Sequence, residues 1–361
     1  MPSLLMTAST YSHIKSFHLP YLRRFADLGF RVTVGCAGEG PLPDGVELLP
    51  LPFEKRITSL GNLRARDIIA RELEMKKHDL VIAHTSLASF FTRLALPKKK
   101  HPPCVNVVHG YLFDDESSLP RRLALTKAEE LVAGRTDLTL TMNRWDYDFA
   151  RKKNLSRRVN KIHGMGVDFT RFDAPWEDLR GRFCSREDQF VFVCPAELSG
   201  RKSQEVLIRA LARVPERAVL VLAGGGARQR ELEDLAASMG LSDRVFFPGF
   251  VEDMNSLLRS CDALAAASRI EGLPFGVMEA MYCSLPVIAS DVKGHRDLID
   301  DRRTGLLYPY GDVRSCADAM AELMRSPRLR TELGSAARRT VRRYGLDMVF
   351  ENVMTKYLSA M

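Results

Sequence analysis

The chain has 361 residues, 45% of them hydrophobic and 27% charged, an ordinary composition for a globular protein with room for two domains. No apolar run reaches the ~18 residues of a transmembrane helix, and the short apolar stretch at Met1–Met6 reads as a first strand rather than a signal peptide. Net charge is +8, and all of it sits in the first half: residues 1–170 hold 26 Lys/Arg and 18 Asp/Glu, residues 171–361 hold 27 of each.

Strand-like and helix-like stretches alternate along the whole chain. In the first half the strands are expected at 4–8, 31–35, 46–51, 80–84, 105–109 and 138–142, with helices at 19–28, 63–77 and 121–133 among them. The second half repeats the pattern with strands at 190–195, 218–223, 245–247, 263–267 and 287–290. Short apolar strands alternating with amphipathic helices imply parallel, doubly wound sheets, and two such series imply two Rossmann-like domains. The boundary is expected in the Gly-, Asp- and Pro-rich stretch 164–175, giving domains 1–168 and 169–345, with helical spacing again near the C-terminus.

Basic clusters in the first half include Lys55-Arg56, Lys98-Lys99-Lys100, Lys152-Lys153 and Arg157-Arg158. Such patches suit the phosphates of an anionic membrane surface or a lipid diphosphate. Phe90, Phe91 and Leu94, ahead of the lysine run, are expected to add a shallow apolar contact. No nucleic-acid-binding motif accompanies the basic residues, so nucleic acid is not an expected partner. The seven cysteines are odd in number and lack Cys-x-x-Cys spacing, which points to reduced thiols of the cytosol and no cysteine zinc site.

The most informative pair is Glu271 and Glu279, in Arg269-Ile-Glu-Gly-Leu-Pro-Phe-Gly-Val-Met-Glu-Ala280. Gly272 and Pro274 suit a turn and a first helical position, and 277–283 continues as a helix. Were most of the segment helical, the two carboxylates would stand roughly 12 Å apart along the axis. That exceeds the ~5–9.5 Å of a hydrolase pair. It suits the two hydroxyl-bearing ends of a nucleotide sugar, with the diphosphate at the helix N-terminus.

Together with Ala-Met-Tyr-Cys-Ser-Leu-Pro-Val-Ile-Ala-Ser290-Asp291 and Gly305-Leu-Leu-Tyr-Pro309, this pair resembles the Glu-x7-Glu signature of retaining glycosyltransferase family 4, in particular exopolysaccharide or capsule-type members. The resemblance implies an α/β GT-B fold, two Rossmann-like domains facing across a cleft, with the last helix, about 346–361, packing back on the acceptor-binding N-terminal domain. It assigns Glu271 to the transferred sugar and Glu279 to the ribose, with Gly272, Leu273, Phe275 and Gly276 lining the donor site between them. Gly166-Val167-Asp168 resembles the family's interdomain linker.

Other site residues follow in the same way. Arg201 and Lys202 lie between a strand and a helix, where a cation neutralises a departing diphosphate. The family places a lysine at Lys202, but where it often has an earlier arginine this chain has Glu197, which is expected to point elsewhere or to pair with Arg201. Gly224-Gly225-Gly226 permits a tight turn but lacks the Gly-x-Gly-x-x-Gly fingerprint, so NAD is not expected. Phe250 and Val251 are base-contact candidates by resemblance. His109 closes a parallel strand at its carboxyl end, where ligands bind in open α/β sheets, and the family has a histidine there against the donor sugar. Ser12, His13 and Lys15 are acceptor-side candidates.

These readings combine into a metal-independent, retaining transferase needing no cofactor. It would move a hexose or N-acetylhexosamine from a nucleotide-diphosphate sugar, UDP favoured, to a polyprenyl-diphosphate-linked glycan at the inner face of the cytoplasmic membrane. Two alternatives stand beside it: a sugar-nucleotide 2-epimerase on the same fold, and a non-catalytic membrane-docking protein.

Overall fold

A computed structural model describes residues 1–361, which divide into two compact units, 1–166 with 346–361, and 167–345. The division falls beside the expected boundary at Asp168.

The first unit is built on a seven-stranded sheet. Its strands are β1 (Ser3–Thr10), β2 (Arg31–Ala37), β3 (Val46–Pro50), β4 (Leu80–His84), β5 (Cys104–Val108), β6 (Leu138–Thr141) and β7 (Arg158–Lys161). All pair in parallel in the order β3-β2-β1-β4-β5-β6-β7. Every residue of β4 and β5 is buried, as a strand covered by helices on both faces requires. The edge strands differ: β3 and β7 are partly exposed, and β7 carries Arg158 and Lys161, charges that discourage pairing with another chain.

Helices Tyr11–Phe17, Ser86–Ala95 and Arg144–Lys152, and strand β7, were not anticipated by the hydrophobic pattern. Two of them have local start signals that a periodicity count passes over. Thr10 caps the first of these helices and Asn143 the third, each accepting a backbone N–H from its first turn. Helix Ser86–Ala95 contains Phe91, which is buried, and Phe90 and Leu94, which pack half-buried against the same core. These three belong to the interior of the unit and do not form the shallow apolar contact expected beside Lys98–Lys100, although those lysines are exposed.

The C-terminal helix, Leu346–Leu358, belongs to this first unit. Tyr357 is fully buried between Tyr21 and Phe25, and Phe350 lies 4.8 Å from the Tyr21 ring. Gly166 has φ +86° and lies so close to Leu346 that a Cβ would stand 2.6 Å from the Leu346 Cα. Only glycine fits where the two chain segments pass.

The second unit has a six-stranded parallel sheet: β8 (Phe190–Pro195), β9 (Ala218–Ala223), β10 (Val245–Gly249), β11 (Ala263–Ala266), β12 (Val287–Ser290) and β13 (Leu306–Tyr308). Its order is β10-β9-β8-β11-β12-β13. In each sheet the strand order reverses beside the first strand, between β1 and β4 and between β8 and β11. The carboxyl ends of those strands are where open α/β sheets place ligands.

Candidate functional site

At the switch point of the second unit, β8 runs into the loop 196–203, and β11 into the loop that carries Glu271. Ser203 begins helix Gln204–Leu211 in the left-handed region, φ 50°, with its hydroxyl donating to the Gly200 carbonyl. A non-glycine residue there needs support from its surroundings. The Gln204 amide donates to the Glu197 carbonyl, and Arg269 N–H donates to the Arg201 carbonyl. The two loops are thereby tied together.

This tie brings Glu271 to both expected cations. Its carboxylate accepts from Lys202 Nζ at 2.6 Å and from Arg201 Nη1 at 3.0 Å, and Arg201 also reaches the Ile270 carbonyl. Glu271 is only 6% exposed. Burial alone would raise its pKa, but the two cations outweigh burial and hold it at about 2. Glu271 is therefore a permanent carboxylate clamped between positive charges. Lys202 and Glu271 line one cavity with Cys194, Pro195, Gly276 and His295.

His295 was missed by sequence reasoning. It opens helix His295–Leu298 beyond the carboxyl end of β12, a position with the same meaning as that of His109. Its Nδ1 lies 2.8 Å from the Ser290 carbonyl, so Nδ1 carries the proton and Nε2 keeps its lone pair. Burial lowers its pKa, partly opposed by Glu271. Gly294, φ +84°, lets this turn pack on the Glu271 loop, where a Cβ would meet the Glu271 Cβ at 2.8 Å.

Helix Phe275–Tyr282 starts later than the spacing argument assumed. Pro274 is its N-cap rather than its first helical residue, and Glu271 to Leu273 form an irregular loop. The ~12 Å expected for a mostly helical segment therefore does not apply. Pro274 offers this helix no side-chain cap, and Gly276 lets its first turn approach β8, where a Cβ would meet Pro195 at 3.1 Å. Leu273 is buried, while Gly272 and Phe275 are half-buried.

Glu279 lies one turn into the helix and does not share the cations of Glu271. It is ion-paired with Arg171, a residue the sequence reading did not single out. Burial raises the Glu279 pKa in spite of that arginine. The helix is held to the segment around Arg171 by Phe169 and Tyr282, whose rings stack at 4.3 Å, and by a Tyr282–Asp173 hydrogen bond of 2.8 Å.

Phe250 and Val251 line a different cavity of this unit, with Phe183, Phe246 and Pro248, and Phe250 is exposed. The structure does not bring them to the Glu271 cavity. The Gly224–Gly226 turn is explained by packing, since a Cβ at Gly224 or Gly226 would stand 2.2 Å from the Ala196 or Leu198 carbonyl oxygen.

In the first unit, His109 follows β5 directly rather than ending it. His13, on helix Tyr11–Phe17, places its Nε2 3.4 Å from His109 Nε2, and His84 Nδ1 stands 3.1 Å from the same atom. Burial lowers the pKa of all these imidazoles, that of His13 to about 4, so they are neutral at neutral pH. Ser12 and Lys15 are exposed on the same helix.

Two families match the chain. The one described as "Glycosyl transferase 4-like domain" covers residues 19–164, and "Glycosyl transferases group 1" covers 177–340. EpsD of Bacillus subtilis (strain 168) is 33% identical over 370 residues, spanning 99% of this chain and 97% of that one. A "UDP-Gal:alpha-D-GlcNAc-diphosphoundecaprenol alpha-1,3-galactosyltransferase" of Escherichia coli is 23% identical over 309 residues, 81% and 80% of the two chains. Among solved structures, HepE of Anabaena in complex with UDP superposes with a TM-score of 0.80 at 22% identity, and a sucrose-phosphate synthase of Thermosynechococcus elongatus with 0.82 at 18%, each over the full length of both chains. These likenesses establish the fold as GT-B.

Proposed function

This chain belongs to the family 4 glycosyltransferases of GT-B fold, and we propose that it transfers a hexose or N-acetylhexosamine, with retention, from a UDP-sugar to a polyprenyl-diphosphate-linked glycan. The observation that carries this reading is the Arg201–Glu271–Lys202 cluster at the β8/β11 switch point. The E. coli relative, whose name specifies a UDP donor and a diphosphoundecaprenol acceptor, supports the choice of substrates. Neither the epimerase nor the non-catalytic alternative is favoured by the relatives.

In this reading Lys202 and Arg201 face the diphosphate, and the N-terminus of helix Phe275–Tyr282 adds its positive dipole end to the same charge. Glu271, fixed as an anion, accepts hydroxyls of the transferred sugar, with His295 Nε2 as a second acceptor in the cavity. Glu279 accepts the ribose hydroxyls after exchanging its contact with Arg171. The bond from the anomeric carbon to the diphosphate breaks while the acceptor oxygen bonds on the same face. The acceptor proton passes to the departing diphosphate, whose charge Lys202 and Arg201 absorb. His109 contacts the donor sugar near the reacting carbon, and Ser12, His13 and Lys15 are assigned to the acceptor side. No metal or cofactor is required for these roles.

No helix is long and apolar enough to cross a membrane. Contact with a lipid-linked acceptor is assigned to the basic first unit, at the inner face of the cytoplasmic membrane. There Leu119 and Leu123, both exposed, lie on one helix beside Arg121 and Arg122, and Arg121 donates to the carbonyl of exposed Leu112. These leucines take the place of Phe90, Phe91 and Leu94 as the apolar contact.

The test is mass spectrometry of products formed from a panel of UDP- and GDP-sugars with a polyprenyl-diphosphate-linked N-acetylglucosamine acceptor. Addition of one sugar from a UDP donor, with the anomeric configuration kept, is expected. Inversion, an epimerised free nucleotide sugar, or transfer from GDP donors alone would overturn the reading.

A further inference from the structure

Four histidines converge at the switch point of the first unit, and the transfer reaction uses at most two of them. His13 lies on the helix after β1, His18 opens the next helix, His84 ends β4, and His109 follows β5. The ring centroids of His13 lie 5.0 Å from His18 and 4.5 Å from His109, and those of His18 and His84 are 3.8 Å apart. Ligand-capable nitrogens of His13, His18 and His109 all lie within 4.8 Å of one another.

His18 is the anomaly. It is fully buried, yet neither ring nitrogen has a hydrogen-bond partner, and His84 Nε2 lacks one as well. A neutral imidazole has one N–H to donate and one lone pair to offer, and buried polar groups are nearly always bonded. Packing alone would be better served by a phenylalanine. A ring kept as histidine, with a free lone pair beside two other imidazoles, is what a metal ligand looks like without its ion.

We propose that His13, His18 and His109 form a binding site for a borderline transition-metal ion, Zn²⁺ being the natural occupant, with the His84 ring backing His18. Tetrahedral Zn–N bonds of about 2.05 Å put ligand nitrogens about 3.4 Å apart. The His13–His109 separation of 3.4 Å already has that value, and the third nitrogen needs to close by an ångström or so. The donor set is all imidazole with no carboxylate among it, which suits zinc, copper or nickel and disfavours magnesium and calcium. His109 Nε2 also has His84 Nδ1 at 3.1 Å, a contact that a bound ion would replace. His13 is half-buried, so an ion can enter from its side. An ion bound here would occupy a lone pair of His109. Metal at this site would therefore suppress transfer rather than support it, a consequence that rests on the proposed role of His109.

The experiment is isothermal titration of the full chain with Zn²⁺, without donor or acceptor, and with Mg²⁺ and Ca²⁺ as controls. Co²⁺ absorption reports the ligand geometry. One equivalent of Zn²⁺ and a tetrahedral Co²⁺ spectrum are expected, with no uptake of Mg²⁺ or Ca²⁺. His18→Phe, which keeps the ring volume, should lose at least about tenfold in Zn²⁺ affinity while melting no lower than wild type in the absence of metal. If that variant fails to fold, His13→Gln, at the open side, must show the same loss. Absence of Zn²⁺ binding, or affinity unchanged in these variants, overturns the site. Because substrates are absent, that failure leaves the transferase reading untouched.

Discussion

Glu271→Gln keeps the shape of the side chain and a hydrogen-bond acceptor while removing the charge between Arg201 and Lys202. The Glu271 pKa of about 2, against an ordinary value of 4.5, corresponds to about 3 kcal/mol of stabilisation of the native carboxylate. Arg201 is 40% exposed and its contribution is screened by water, whereas Lys202, 16% exposed, cannot turn away as easily. A loss of about 2 kcal/mol is therefore expected, which lowers Tm of a unit of this size by roughly 4–8 °C. The sign with pH follows from the direction of the shift. A depressed carboxyl pKa contributes fully above the unfolded value of 4.5 and is lost as pH falls through about 2. Denaturant unfolding of wild type and Glu271→Gln at neutral pH, pH 5 and pH 3 should give equal gaps at the first two and a smaller one at the third. Equal stability at neutral pH, or a gap that does not shrink in acid, would refute the clamp.

Glu279→Gln should raise KM for the nucleotide-sugar donor at least about tenfold with a smaller change in kcat, the pattern of lost ground-state binding; steady-state kinetics with varied donor checks this, and unchanged KM removes Glu279 from the ribose. EDTA should not lower the transfer rate if Lys202, Arg201 and a helix N-terminus carry the diphosphate charge as proposed; a rate abolished by chelator and restored by Mn²⁺ would put a metal there. Flotation with anionic liposomes should fall when Leu119 and Leu123 become Ser, and again with salt or with Lys98, Lys99 and Lys100 changed to Ser, since each surface cation contributes about 1 kcal/mol. Equal binding to neutral liposomes would leave the basic face merely solvated.

The buried strands were the most legible part of the chain, because runs such as Phe190–Cys194 and Val219–Ala223 are apolar on both faces and have no other plausible state. Helix Arg144–Lys152 was not legible by periodicity, since Arg, Trp, Asp and Tyr crowd its first turn, and its start is signalled by the Asn143 cap instead. Edge strand β7, Arg-Val-Asn-Lys, is polar on every exposed position and carries almost no strand signal. Within the site, Lys202 and Glu271 could be paired in advance only through the resemblance, because 69 residues of sequence separate two side chains that the β8/β11 order brings together. Arg171 and His295 were passed over for a related reason. Arg171 lies in the short turn Thr170–Phe172 and His295 at the start of a four-residue helix, each among other polar residues, and the meaning of each comes from the neighbour that the fold supplies: Glu279 for one, the Glu271 cavity for the other.

The most direct measurement is the transfer rate of Lys202→Ala at saturating UDP-sugar and lipid-linked acceptor, beside wild type. In the proposed mechanism Lys202 faces the negative charge that develops on the leaving diphosphate, so kcat should fall about 100- to 1,000-fold, as when one preorganised electrostatic group is removed from a reacting centre. The variant should still unfold cooperatively. Transfer by Lys202→Ala at the wild-type rate would contradict the account, because the cavity at the β8/β11 switch point would then not be where the sugar leaves its nucleotide.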